Sequence, residues 1–138
     1  MQLASFPVRL TLIGIALMLR PASAMGPPPV KSIVVAVRCN ADDGLSLRLK
    51  EAIEKAFKSS RDFSLSSGRE PSAFTATIPT NVGWKQRGGR TRVSYTMEFS
   101  SVDNQSLGSI AGSCWDDGLA KCASQIVKKA RIAAHKMH

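Results

Sequence analysis

The chain is poor in the side chains that do chemistry. It has two histidines, His135 and His138, both in the last four residues, and three cysteines, Cys39, Cys114 and Cys122. No C-x-x-C, H-E-x-x-H or G-x-S-x-G occurs, which removes the usual zinc, thiol-redox and serine-hydrolase signatures. No glycine-rich loop leads from a strand into a helix, so nucleotide phosphates have no cradle. No cofactor is expected. There is no internal repeat, no long low-complexity segment, and no apolar run of membrane-spanning length. Acidic residues are scarce: ten Asp and Glu against nineteen Lys and Arg give a net charge of +9.

What is present begins with a leader. Arg9 supplies early positive charge, Leu10 to Leu19 (LTLIGIALML) is apolar and too short to span a bilayer, and Ala22-Ser23-Ala24 is an A-x-A cleavage site. Residues 1–24 therefore read as a secretory signal peptide. The alternative, a buried N-terminal helix, is disfavoured by Pro21 and the small triplet. No cysteine sits just after the cleavage site, so nothing suggests a lipid anchor, and no transmembrane anchor is expected. The reading places the protein in the periplasm of a Gram-negative bacterium, or outside the cell. Met25 to Val30 forms a proline-rich linker, and residues 31–136 form a single domain large enough for its own core. The leader holds Arg9 and Arg20, so the mature part carries about +7. Such a surface favours anionic partners, and export makes intracellular nucleic acid an improbable one.

Export also lets disulfides persist. Three cysteines permit three pairings. Cys114 with Cys122 is favoured, because one ends a strand and the other lies in the first turns of the next helix. Cys39 would then be a buried apolar thiol. The alternative is Cys39 with Cys114, if their strands are neighbours.

The periodicities predict β-α-β-β-β-β-α. Ser32 to Cys39 (SIVVAVRC) is β-branched and almost continuously apolar, as an interior strand is. Asp42-Asp43 caps a helix whose Leu45, Leu49, Ile53 and Phe57 form one buried stripe. Asp62 to Ser66 reads as a short strand. Gly88-Gly89 is a two-residue hairpin turn, which pairs Trp84 with Val93, Val82 with Tyr95, Thr80 with Met97 and Ile78 with Phe99. All of these fall on the core side of the sheet. Pro79 marks an edge or a bulge in that strand. A second turn at Asp103-Asn104 pairs Met97 with Ile110, Val93 with Cys114, and Phe99 and Tyr95 with Gly108 and Gly112. Ser94, Thr96, Glu98, Ser109 and Ser113 go to the opposite, wet face. Asp116 and Asp117 cap a last helix with the stripe Leu119, Cys122, Ile126 and Ala130 or Ala133. The fold class is thus α+β: a two-layer sandwich of a mostly antiparallel sheet of four or five strands with two helices on one face.

Catalytic residues do not emerge. The two histidines have a spacing that would hold a metal weakly, but they lie in a terminal tail where solvated side chains are the expectation. Glu51 and Glu54 share a helix surface that faces solvent. The chain is read as a non-enzyme, with a hydrolase ranked last. The strongest feature outside the core is the hairpin tip, where Lys85, Arg87, Arg90 and Arg92 fall together. Like charges facing across a strand pair destabilise it, so water, salt or an anionic ligand must offset them. These four residues are the candidate anion- or partner-binding set. The partner is an envelope protein or, alternatively, an anionic polymer such as lipopolysaccharide, cell-wall polymer or extracellular DNA. Oligomeric state is left open.

The element order over about Val30 to Lys136 resembles the small periplasmic domain at the N-terminus of the Tol-system propeller protein, and that of the lipoprotein activators of cell-wall synthases. The stretch from Gly112-Ser113-Cys114-Trp115 to Cys122-Ala123-Ser124-Gln125-Ile126 looks like a signature of small exported bacterial proteins. The resemblance implies a protein-binding module of the envelope.

Overall fold

The computed structural model describes residues 32–69 and 71–137. The leader and linker expected at residues 1–30 lie outside them, as does His138. Among the described residues the elements are β1 (Ile33–Cys39), α1 (Gly44–Ser59), β2 (Phe63–Leu65), β3 (Phe74–Ile78), β4 (Gly83–Arg87), β5 (Arg90–Ser101), β6 (Ser106–Trp115) and α2 (Leu119–Ala134). Two helices pack on a mixed sheet, and with β3 and β4 taken as one interrupted strand the order is the β-α-β-β-β-β-α anticipated from the sequence.

β1 pairs in parallel with both β2 and β3, which makes it interior, as its apolar run requires. All other pairs are antiparallel. β5 is long enough to hold β3 and β4 end to end along one edge and β6 along the other. The first turn sets the register as expected; at the second, Ser100 lies opposite Ser106, one place off a turn at Asp103-Asn104, and a bulge between Phe99 and Ser100 brings the rest of β6 into the expected register. Trp84 lies opposite Val93 and Arg87 opposite Arg90, while Met97 lies opposite Ile110 and Val93 opposite Cys114.

The register fails at Pro79. Phe99 is opposite Ala76, not Ile78, and Thr80 is exposed in the break rather than beside Met97. Residues 79–82 let the strand slip by two positions. A slip of two keeps every side chain on its own face, so Phe74, Ala76 and Ile78 remain buried. Proline has no N–H to give the ladder, which explains why the break falls there.

The core lies between sheet and helices. Four phenylalanine rings run through it in sequence: Phe57 on Phe63 at 5.0 Å, Phe63 on Phe74 at 5.8 Å, and Phe74 on Phe99 at 5.4 Å. They join α1, β2, β3 and β5, and each buried ring contributes about 1.5–3 kcal/mol. The α1 stripe is Leu49, Ile53 and Phe57, fully buried, with Leu45 only half-buried. Ser46 takes the inner place in the first turn, where its hydroxyl accepts the Val82 N–H at 3.0 Å. Asp43 caps α1, accepting from the Ser46 N–H at 3.1 Å. The Ser46 hydroxyl, foremost, and the backbone amides of this turn hold the Asp43 carboxyl below the usual carboxylate range, against a smaller opposing effect of burial.

α2 starts differently from the expectation. Asp116–Gly118 is a 3-10 turn, and neither aspartate caps the helix with its side chain. The Asp117 carboxylate is drawn to Arg90 instead, and the Asp116 carbonyl accepts from Arg48. The buried stripe of α2 is as read, widened by Ala123, Val127 and Ala134. Cys114 and Cys122 form a disulfide that ties the end of β6 to α2. Cys39 is free and half-buried at the end of β1, not fully buried. No described helix is long and apolar enough to cross a membrane.

Candidate basic arm

β4 lies along the first half of β5 at the outer edge of the sheet, and the turn with Arg90 and Thr91 runs past the end of the β6 pairing as a short arm. All five residues of β4 are exposed, as are Gly88 and Gly89 in the turn. Both glycines have positive φ, 55° and 77°, the conformation that a two-residue hairpin of matching twist needs. Trp84 sits on the core side by register, yet it is 62% exposed, because it stands on the outermost strand of the arm. The expectation that it is a core residue is corrected on this point. Tyr95 and Phe99 are buried as expected.

Cross-strand pairing places Lys85 beside Arg92 and Arg87 beside Arg90 on the wet face. The four candidate residues do meet. Register also puts Trp115 opposite Arg92 on the same face, a neighbour that the candidate set omitted. The signal was present in the sequence: pairing Val93 with Cys114 forces Arg92 onto Trp115.

The four cations divide into two kinds. Arg90 lies over the Trp115 ring at 4.2 Å and reaches Asp117 Oδ1 with its Nη2 at 3.1 Å. Arg92 lies at 5.0 Å from the same ring and donates from Nη2 to Ser113 Oγ at 2.9 Å. Each cation–π contact contributes on the order of 0.5–1 kcal/mol at such an exposed site, and the exposed ion pair adds little. These two guanidiniums are held by the protein's own groups. Among the described residues, Lys85 and Arg87 have no such acceptor, and both are exposed. An open groove of about 610 Å³ is lined by Lys85, Arg87, Arg92 and Ser94, with Trp84, Gly83 and Trp115 at its borders. Its chemistry is that of anion contact, and the indole on the cations' own face, Trp115, is already stacked against Arg90 and Arg92. Among the described residues that line it there is no carboxylate, histidine or cysteine.

His135 is exposed in a short 3-10 turn after α2. Glu54 pairs with Lys50 one helical turn away at 3.7 Å, and Glu51 is exposed.

No family model matches the chain, and no curated protein matches it in sequence. Solved structures do match. The DUF330 protein XCC0632 from Xanthomonas campestris superposes with a TM-score of 0.60 at 9% identity, over 79% of this chain and 89% of that one. The PelC dodecamer from Paraburkholderia phytofirmans gives 0.50 at 15% identity, over 76% and 90%. TolB from Acinetobacter baumannii gives 0.48 at 17% identity, over 74% of this chain and 29% of that one. At these identities the first two establish a shared fold.

Proposed function

We propose that this chain is a non-enzymatic interaction domain of the bacterial envelope, and that it meets a negatively charged partner through the basic arm. One observation carries the reading: two cations, Lys85 and Arg87, stand exposed beside a groove with no acceptor of their own, while Arg90 and Arg92 behind them are already matched. Cross-strand repulsion makes that arrangement unfavourable in isolation and favourable against an anion. The leader supports export, and the Cys114–Cys122 bridge is the chemistry of an oxidising, extracytoplasmic compartment. The groove's lining supports contact rather than catalysis, and the periplasm is the compartment proposed.

The test uses the mature chain and polyphosphate as a simple polyanion. Binding should weaken steeply as salt rises. Lys85→Ser with Arg87→Ser should weaken it at least about tenfold while leaving the Arg90–Asp117 and Arg92–Ser113 contacts in place. A double variant that binds as well as the parent would remove the arm from the account.

A further inference from the structure

The outer edge of β4 is open. In a two-residue hairpin the residues flanking the turn exchange both backbone hydrogen bonds, and bonded pairs then alternate along the ladder. Arg87 with Arg90 and Lys85 with Arg92 are therefore bonded pairs. The N–H and C=O groups of Trp84 and Gln86 point the other way, off the sheet. The Val82 N–H fits this alternation, since it too points outward and is taken up by the Ser46 hydroxyl. Beyond Val82 no described strand borders β4, because β1 ends at Cys39 opposite Ile78 and the chain turns into α1. Four backbone groups, two donors and two acceptors, thus line an unpaired edge.

We infer that this edge takes up an extended acidic segment of another protein as an added strand. The inference rests on the reading of the arm as the contact surface and gives its partner a chemistry. Strand addition supplies affinity through backbone bonds and selectivity through alternate side chains. Here the alternation is defined: residues of the incoming strand beside Lys85 and Arg87 are acidic, and the one beside Trp84 is apolar and covers its exposed ring. A second copy of this chain is a poor occupant. It would set Lys85 and Arg87 against themselves, and like charges on paired strands repel.

A fluorescent peptide, acetyl-Glu-Val-Glu-Val-Glu-amide, is titrated into the mature chain and followed by anisotropy. Its twin carries N-methyl groups on the amides that would face β4, with charge unchanged. Polyphosphate is titrated in parallel. The expected result is saturable binding of the peptide and binding weaker by about tenfold or more for the methylated twin, from the loss of backbone bonds. Equal binding of the two peptides overturns strand addition, as does binding of polyphosphate with none of either peptide, and in both cases the basic arm survives as an anion-contact surface. If neither the peptides nor polyphosphate bind, the reading of the arm falls as well.

Discussion

At the scale of single residues, Tyr95 packs against Gly112 with no room for a side chain there. A Cβ on Gly112 would stand 2.4 Å from the Tyr95 hydroxyl and 2.7 Å from Cζ. The buried ring lies across the neighbouring strand, its hydroxyl donating to Gln125 Oε1 at 3.4 Å. Gly112→Ala should therefore lower stability by about 1–3 kcal/mol through overpacking, and the cost should shrink in a Tyr95→Leu background. Equal costs in both backgrounds, measured by urea denaturation, would show that the ring is not what excludes the methyl group. Asp43 gives the pH counterpart. Its carboxyl titrates lower in the folded chain than in the unfolded one, so its contribution is complete above about pH 4 and is lost as pH falls through the folded value. Asp43→Asn should flatten that acid limb of the stability curve, and an unchanged limb would remove the cap as its source. Both features follow from short-range rules that a sequence carries: an aspartate before an amphipathic stripe, and a glycine opposite an aromatic.

At the scale of elements, the two hairpins were legible because each has a turn signal, and alternation of apolar and polar side chains does the rest. Gly88-Gly89 fixed β4 on β5, whereas β6 reaches its expected register on β5 only past a bulge between Phe99 and Ser100, which no turn residue marks. The slip at Pro79 was not legible in its size. A proline says that the ladder is interrupted, but the number of residues skipped depends on where β3 docks on β1, a long-range pairing with no local mark. The start of α2 was misread for a related reason. Asp116 and Asp117 have the chemistry of caps, yet Arg90, distant in sequence, competes for Asp117. The Cys114–Cys122 bridge joins elements that already touch. Its short loop should make it contribute about 2–3 kcal/mol on the chain-entropy account. Reduction should lower the unfolding midpoint accordingly without changing the far-ultraviolet dichroism of the folded chain. A midpoint insensitive to reductant would mean that packing of α2 alone holds the end of β6.

At the scale of the whole molecule, helices cover one side of the sheet and leave the other to Ser94, Thr96, Glu98, Ser109 and the cationic arm. The arm's position was readable from sequence, but the division between matched and unmatched cations was not. It depends on Trp115, Ser113 and Asp117 arriving from β6 and the turn beyond it. The same wiring couples sulfur chemistry to strand alignment. Were β6 to dock one place out of step, Cys114 would turn toward open water and Trp115 toward the interior, and no thiol on α2 would lie within reach. The bridge to α2 and the seat of Arg90 and Arg92 therefore belong to one alignment of β6, and a strand out of step forfeits both at once.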